Sequence, residues 1–174
     1  MPKFIKNNHI DKVKWDEAIS SSQDSYIYGY SWYLDSVCEQ WDALVLGEYE
    51  YVLPLPNTKK MKLDTLFQPF FHQCLDVVGT KSPSEETLHL FFNSIPKQFK
   101  IQLFRTHFKL PNSEVWKYQV ISDKSDYEMV QKGYSTNVKR QIKTAIKHEL
   151  KYIESTDVET FMLLFKNEVG ERRS

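Results

Sequence analysis

The chain has 174 residues, which is enough for one domain with a sizeable core or for one domain and part of a second. It has 23 basic and 23 acidic side chains. This balance argues against a dedicated nucleic-acid-binding protein, whose basic binding surface normally makes the net charge positive. The N-terminus lacks the apolar core of a signal peptide and no apolar run approaches the roughly 18 residues needed to span a bilayer, so we expect a cytoplasmic protein without a membrane span.

The first part of the chain predicts a strand followed by two helices. Residues 3–10 are a short mixed stretch that favours a first strand. Residues 12–20 have the spacing of a helix, and we expect Val13, Ala18 and Ile19 to form its buried side.

Aromatic side chains concentrate in residues 26–38, around the start of the second helix, for which Ser31 offers an N-cap. Tyr30, Trp32 and Tyr33 are candidate substrate contacts, because a row of aromatic rings can form the wall of a binding site. Such clusters more often pack in a core or between domains, and both interpretations stay open at this point.

Two antiparallel strands are predicted next, at residues 41–47 and 48–54, with a turn at Gly47. Proline cannot donate a hydrogen bond to a sheet, so Pro54 and Pro56 predict that the second strand ends there or lies at an edge.

A polar basic loop is predicted at residues 57–62, and an apolar stretch follows at residues 63–78. Pro69 interrupts this stretch and indicates a bulge or bend. A bend would re-aim the side chain of Gln68, which is therefore a further candidate substrate contact.

His72 and Cys74 suggest either a metal pair or a thiol–imidazole dyad. Two further ligands at zinc-finger spacing are missing, so we assign no metal site and no catalytic residue. The other cysteine, Cys38, lies far away in sequence, and two isolated cysteines favour buried thiols in a reducing compartment over a disulfide framework.

Residues 82–95 predict a helix with Ser82 as its N-cap and Pro83 at its first position. The later predicted elements are strands at 100–105 and 115–121, a short helix beginning at 122–126, a strand at 150–154 and a last helix capped by Asp157. The order is therefore strand, two helices, three strands, helix and strands, followed by the beginning of a similar unit.

Residues 134–151 predict an amphipathic helix with a basic ridge, beginning within residues 135–137. Lys139 and Arg140 lie near the positive end of its macrodipole, where each cation is unfavourable by roughly 0.3–1 kcal/mol. Helix stability alone would not place them there, so they indicate an anion site. The candidate contacts for a donor phosphate or an anionic substrate are Ser135, Lys139, Arg140 and Lys143. The alternative is a solvated basic face balanced by acidic residues elsewhere.

The order of elements resembles the GNAT acyltransferase fold, in which two helices follow the first strand, an antiparallel meander comes next and a helix crosses back to the sheet. Residues 134–147 carry a serine-containing turn before a basic helix of the form Arg-x-Ile-x-x-Ala, and they resemble a segment of FemAB-type proteins. Residues 31–35, 41–45 and 66–73 are also similar to stretches of uncharacterised FemAB-like proteins of the GNAT superfamily. The resemblance implies an α/β fold of the α+β type, with a mostly antiparallel mixed sheet flanked by helices.

FemAB-like proteins carry two tandem GNAT-like units. The resemblance therefore implies an N-terminal GNAT-like domain at residues 1–122, and at residues 123–174 a linker helix, the basic helix and the beginning of a second unit. It implies a parent protein that moves an acyl or aminoacyl group from acyl-CoA or aminoacyl-tRNA to an amine, with the donor bound mainly by the second unit of the same polypeptide.

This chain departs from the superfamily in one respect. The acyl-CoA loop of GNAT enzymes has the form Arg/Gln-x-x-Gly-x-Gly/Ala, whose backbone amides hold pyrophosphate. The five glycines here stand far apart, so no such loop can be drawn. We expect this chain by itself to lack a complete CoA site and to be inactive.

Two other functions stay open. A non-catalytic module could dock another domain, or form a homodimer, through exposed aromatic residues such as Tyr30, Trp32, Tyr33 and Phe70. RNA binding has less support, because it rests on one basic ridge with nearby tyrosines.

Overall fold

The computed structural model describes residues 1–22, 26–109, 113–115 and 126–170, and the chain forms two compact units, residues 1–115 and 116–174. The strands of the first unit are β1 (Lys3–Ile5), β2 (Gln40–Leu46), β3 (Tyr51–Lys60), β4 (Leu63–Phe67), β5 (Val78–Gly79) and β6 (Ile101–Leu103). Its helices are α1 (Lys12–Ser20), α2 (Ser31–Val37) and α3 (Glu85–Asn93), with short 3₁₀ turns at Asn7–His9 and Ile27–Gly29. The second unit contains α4 (Tyr127–Lys132), α5 (Thr136–Lys147), α6 (Val158–Phe165) and a π-helical segment at Lys166–Gly170.

The six strands of the described residues form a mixed sheet in the order β1-β2-β3-β4-β6, and the short β5 pairs with the start of β3. Neighbouring strands are antiparallel except β4 and β6, which run parallel because the chain crosses over through α3 between them. The predicted mixed α and β structure with a mostly antiparallel sheet is confirmed. As predicted, a strand and two helices are followed by strands, a helix and a further strand, but four strands, β2 to β5, precede α3 where three were predicted.

Strand β2 is buried on both faces of the sheet. Trp41, Ala43 and Val45 belong to one core cluster, and Leu44 between them belongs to the other. This double burial explains the continuous apolar run at residues 43–46, where a strand with one wet face would alternate. The first cluster joins β2 to α1 and α2 and includes Trp15, Ala18, Ile19, Leu34, Val52 and Val78. The second joins the sheet to α3 and includes Leu53, Leu55, Leu66, Val77, Leu88, Phe91, Ile95 and Phe99.

Helix α1 has the predicted bounds but not the predicted inner face. Asp11 caps it by accepting hydrogen bonds from the N–H groups of the first turn, and Ala18 and Ile19 are buried as expected. Val13 is 69% exposed, so its predicted burial is wrong. Trp15 takes the inward position instead, because its indole packs against the core and donates to a backbone carbonyl at 2.8 Å.

Ser31 is not the N-cap of α2, so that prediction is wrong. The helix begins at Ser31, and Tyr30 occupies the cap position without a side-chain cap bond. The N–H and the hydroxyl of Ser31 both donate to the carboxylate of Asp16, at 2.7 and 2.8 Å. An acidic side chain of α1 therefore satisfies an open amide of α2 and joins the two helices.

Strand β3 does not end at its prolines, and it extends to Lys60. Pro54 and Pro56 pair with Ala43 and Trp41 of β2. In the described residues, this part of β3 pairs on one side only, since β5 meets it at residues 51–52 and β4 at residues 57–60. A missing N–H on the other side therefore costs no ladder hydrogen bond.

The predicted loop at residues 57–62 is also wrong. Residues 57–60 pair with β4, and the chain turns at Met61 and Lys62, whose φ angles are 50° and 67°. Both angles lie in the left-handed region that a tight hairpin turn requires. The turn was not visible in the sequence because neither residue is glycine or asparagine.

Helix α3 begins two residues later than predicted, so Ser82 is not its cap. Ser84 accepts the N–H of Thr87 at 3.2 Å, and Glu85 and Glu86 occupy the first turn, where the helix dipole favours acidic residues.

In the second unit, the predicted start of α5 within residues 135–137 is confirmed, with Ser135 as the N-cap, and the predicted cap Asp157 of α6 is confirmed as well. Residues 150–154 do not form the predicted strand, and no strand among the described residues offers them a partner. The predicted strand at 115–121 lies outside the described residues from 116 onward. The division into a GNAT-like domain at 1–122 and the start of a second unit at 123–174 stays a prediction. None of the helices in the described ranges has the length and apolar composition that crossing a bilayer requires.

Phe91 tests the packing of α3 on the sheet. Its ring is fully buried in the second core cluster, so we expect Phe91→Ala to lower the free energy of unfolding by about 3–5 kcal/mol. His89 is exposed on the same helix, and His89→Ala should change stability by less than about 0.5 kcal/mol. Urea unfolding monitored by circular dichroism measures both values, and equal effects would contradict this packing.

Asp35 tests the link between α1, α2 and β2. Its carboxylate accepts from Lys12 at 2.7 Å and from the indole of Trp41 at 2.9 Å. Burial alone would raise the pKa of Asp35, but these two bonds outweigh it and hold the pKa below its ordinary value of 3.8. Because the folded-state pKa is depressed, the stabilisation is present above about pH 4 and is lost as the pH falls through the folded-state value.

We therefore expect Asp35→Asn to be less stable than the unmodified chain near pH 6, with the difference shrinking as the pH falls below 3.8. Urea unfolding at a series of pH values checks this expectation. A difference that stays constant down to the acid limit would show that the charge of Asp35 contributes nothing.

Candidate functional site

The candidate site lies where β4 and β6 end. Because the two strands are parallel, their carboxyl ends meet at the same edge of the sheet, and ligands often bind at such an edge. The following loops, residues 68–77 and 104–109, are joined to each other. The N–H of Gln68 donates to the carbonyl of Leu103 at 3.0 Å, and the N–H of Leu75 donates to the carbonyl of Arg105 at 2.7 Å.

Gln68 holds these two loops together through its side-chain amide. Its Oε1 accepts the N–H of Arg105 at 2.7 Å, and its Nε2 donates to the carbonyls of His72 and Gln73 at 2.5 and 2.9 Å. Strand β4 ends at Phe67, just before the expected break, and the side chain of Gln68 is directed at the backbone of both loops. A contact between Gln68 and a substrate stays a prediction.

The predicted aromatic contacts lie beside the same loop. The hydroxyl of Tyr33 donates to the carbonyl of Phe71, so Tyr33 and Gln68 both bind the backbone of residues 68–77. The ring of Trp32 stacks on Tyr30 with centroids 6.3 Å apart and meets Tyr33 edge-on at 5.8 Å. Trp32 is 54% exposed, whereas Tyr30 packs against the first core cluster. The aromatic segment therefore supplies both core packing and an exposed ring.

Asp76 is the centre of the site and accepts hydrogen bonds from residues of several segments. Its Oδ1 accepts the hydroxyl of Thr106 at 2.5 Å and the N–H of His107 at 2.9 Å. Its Oδ2 accepts the hydroxyl of Tyr26 at 2.6 Å and lies 2.6 Å from Nδ1 of His107. The carboxylate is 4% exposed, so one buried group joins the segment before α2, the loop after β4 and the loop after β6.

The hydrogen bonds around Asp76 determine its charge. Burial alone would raise the pKa of Asp76, but the donors Thr106, Tyr26 and His107 outweigh burial and lower the pKa below its ordinary value. Burial and the nearby Asp76 charge raise the pKa of Tyr26 well above its ordinary range. Asp76 is therefore a carboxylate and Tyr26 a neutral phenol at neutral pH.

Cys74 lies in the same cluster and does not pair with His72. Burial, with the charge of Asp76 as the next cause, raises the pKa of the Cys74 thiol, which hydrogen-bonds with Asp76 and Tyr26. The thiol alone is therefore a poor nucleophile. The ring of His72 is buried, its Nε2 lies 2.9 Å from the carbonyl of Tyr28, and burial lowers its pKa. The suggested thiol–imidazole dyad of His72 and Cys74 is not formed.

The side chains of Cys74, Asp76 and His107 bring together three groups that bind metals. The sulfur, a carboxylate oxygen and a ring nitrogen all lie within 4.8 Å of one another. Sequence reasoning missed Asp76 and His107, which are 31 residues apart. The available signals were the alternation of Cys74 and Asp76 along one extended segment and the position of His107 just after a predicted strand.

The other predicted site belongs to the second unit. Ser135 accepts the N–H of Val138 at 3.4 Å and caps α5. Lys139 donates to the carbonyl of Lys132 at 3.1 Å, and Arg140 donates to the side chain of Asn137 at 3.1 Å. Lys139, Arg140 and Lys143 are exposed, and among the described residues none of the three forms an ion pair with an acidic side chain.

Gln68 provides a test of the loop geometry. We expect Gln68→Ala to lower the free energy of unfolding by about 1–3 kcal/mol, because the substitution removes hydrogen bonds to three backbone groups. Gln73→Ala is the matched control, since the Gln73 side chain is exposed and only its carbonyl takes part. Urea unfolding and the rate of limited proteolysis within residues 68–77 are the measurements. Equal values for the two variants would show that the side chain of Gln68 does not hold the two loops together.

Comparison with known proteins identifies no relative of this chain. No family model matches the chain, and no curated protein and no solved structure matches it either.

Proposed function

We propose that this chain is the N-terminal part of a FemAB-like acyl- or aminoacyltransferase of the GNAT superfamily, which moves an activated acyl group to an amine. The observation that carries the proposal is the architecture of the first unit. A strand is followed by two helices and an antiparallel meander, and α3 then crosses back so that β6 lies beside β4. This is the order that the resemblance to GNAT proteins leads one to expect.

Acyl transfer to an amine requires two bound partners, an activated donor and a nucleophile held against its carbonyl. Acyl-CoA and aminoacyl-tRNA both carry phosphates, so a donor site needs an anion contact. The first turn of α5 offers open backbone N–H groups, and Lys139, Arg140 and Lys143 add positive charge within two turns of that end. These cations gain nothing from the helix dipole at that position, and this supports a role in binding.

We infer that the acceptor amine binds at the carboxyl ends of β4 and β6. Hydrogen bonds from Gln68 and around Asp76 fix the backbone there, and the exposed ring of Trp32 lies beside it. A pre-organised loop next to an exposed aromatic ring suits an acceptor that carries an apolar group beside its amine. We assign no catalytic base among the described residues.

The isolated glycines do not provide a complete binding site for CoA in this chain. A glycine loop for pyrophosphate cannot be drawn from Gly29, Gly47, Gly79, Gly133 and Gly170. In this proposal α5 contributes part of the donor contact, and the second GNAT-like unit of the same polypeptide contributes the rest.

A non-catalytic docking or dimerisation module is the second candidate function. Helix α6 favours it, because Phe161, Met162, Leu163 and Leu164 are each more than half exposed, and successive residues of a helix point in different directions. An apolar helix of this kind is stable in water only when something covers it. The chain has a formal net charge of zero, so two copies do not repel each other, and we propose a second copy as the occupant.

Neutralising the basic residues of α5 tests the transferase proposal. We expect the triple substitution Lys139→Gln, Arg140→Gln and Lys143→Gln to weaken binding of acetyl-CoA, or of bulk aminoacyl-tRNA, by at least about tenfold, which corresponds to about 1.4 kcal/mol. Lys147→Gln, Lys151→Gln and Lys166→Gln remove the same charge from other exposed positions and should change the affinity by less than about twofold. Calorimetric titration measures both, and equal binding by the two variants would remove α5 from the donor site.

The dimerisation candidate has its own test. Light scattering of the purified chain should show a dimer that Leu163→Glu together with Leu164→Glu converts to monomer, because buried apolar contacts would be replaced by charge. Glu159→Gln on the same helix is the control and should leave the dimer intact. A strict monomer at all concentrations would exclude dimerisation as the function of the chain.

A further inference from the structure

We propose that Cys74, Asp76 and His107 form a binding site for a zinc ion. Sγ of Cys74, Oδ2 of Asp76 and Nδ1 of His107 would be its ligands, and a water or a ligand oxygen would take the fourth position. The proposal is independent of the transferase proposal, because it rests only on the side chains that meet at this edge of the sheet.

The set of ligand atoms selects the metal. A thiolate, an imidazole and a carboxylate are the three ligand types of protein zinc sites, whereas magnesium and calcium prefer oxygen ligands alone. Three protein ligands with one open position are the arrangement of zinc sites that bind a water or a substrate. The cluster therefore fits an exchangeable zinc site better than a closed structural site with four ligands.

The distances allow coordination after a small adjustment. In a zinc tetrahedron with ordinary bond lengths, nitrogen and oxygen ligands lie about 3.3 Å apart, and sulfur lies about 3.6 Å from either. The three ligand atoms already lie within 4.8 Å of one another. The carboxylate oxygen and the ring nitrogen are 2.6 Å apart as a hydrogen bond, so the imidazole has to withdraw by about 0.7 Å.

Groups around the cluster hold the ligands in place. Oδ1 of Asp76 is fixed by the hydroxyl of Thr106 and the N–H of His107, so Oδ2 is the oxygen directed toward the ring of His107. Tyr26 donates to the same Oδ2 at 2.6 Å. Such outer hydrogen bonds orient metal ligands and commonly change metal affinity by about 10–100-fold.

A zinc ion would balance the charges that its own ligands carry when they bind it. Cys74 and Asp76 are each 4% exposed, so a thiolate beside the carboxylate would place two negative charges in a buried position. A divalent cation neutralises both. When it binds, the thiol proton passes to solvent, and Nδ1 of His107 gives up the hydrogen that it shares with Asp76, so that the ring carries its hydrogen on Nε2. The side chain of His107 is 34% exposed, which gives the ion a path to the site from the surface.

His72 lies in the same segment as two of the proposed ligands but is not one of them. It is 5% exposed, its Nε2 lies 2.9 Å from the carbonyl of Tyr28, and it is not among the three groups whose ligand atoms lie within 4.8 Å of one another.

The test is a titration of the reduced, untagged 174-residue chain with Zn²⁺ in competition with a chromophoric chelator, repeated with Co²⁺ as a spectroscopic probe. We expect one Zn²⁺ per chain, a higher thermal midpoint with zinc, and the near-ultraviolet charge-transfer absorption that a thiolate gives with Co²⁺. Cys74→Ser should abolish that absorption, and Cys74→Ser and His107→Gln should each weaken Zn²⁺ binding by more than about 100-fold, beyond the effect of an outer hydrogen bond.

Two controls separate the site from other cysteines and histidines. Cys38→Ser removes the half-buried thiol whose pKa burial raises to about 12, and His89→Gln removes an exposed histidine. Both variants should bind Zn²⁺ with less than about a twofold change in affinity. Absence of saturable one-to-one binding, of the thiolate absorption in the unmodified chain, or of any loss in Cys74→Ser would overturn the proposal. The spectrum of the unmodified chain decides the question even where a variant fails to fold.

Discussion

A buried carboxylate needs hydrogen-bond donors beside it. At Asp76 this requirement determines how the loops pack at the carboxyl ends of β4 and β6. Leaving such a charge without donors inside a protein costs several kcal/mol. Tyr26, Thr106 and His107 supply the donors from two segments distant in sequence, so these segments cannot move away without exposing the charge. The loops that follow β4 and β6 are consequently joined at Asp76. A second hydrogen bond, from the N–H of Arg105 to the side chain of Gln68, joins the same two loops.

The elements that the sequence predicted well are those determined by neighbouring residues. The bounds of α1, the start of α5, the cap Asp157 and the hairpin of β2 and β3 all depend on residues a few positions apart. The wrong predictions depend on distant partners. Ser31 is a donor to Asp16 rather than a cap, and residues 57–60 belong to a strand because β4 pairs with them.

The candidate site follows the same rule. Tyr33 and Gln68 were singled out by composition and by a proline break, and the structure brings both to the loop at residues 68–77. Asp76 and His107 were not, because their contact depends on the crossover through α3 that makes β6 parallel to β4. No local pattern contains that information, so a side chain can be central to the site and inconspicuous in the sequence.

The proposed transferase and the proposed zinc site use different chemistry of the same polypeptide. The transferase proposal rests on the order of helices and strands in the first unit. It also rests on the basic residues near the capped N-terminus of α5 in the second unit. The zinc proposal needs three side chains from the first unit alone. Each proposal is consequently open to evidence that leaves the other unaffected.

The turn between β3 and β4 offers an opportunity for protein engineering. Met61 and Lys62 are held in a backbone region that glycine and asparagine occupy at lower energy, and Met61 is 94% exposed. Replacing the pair with Asn-Gly relieves that strain at a solvent-facing position, typically gaining a fraction of a kcal/mol to about one. Such a background would offset part of the loss of stability that a mildly destabilising substitution causes elsewhere in the first unit.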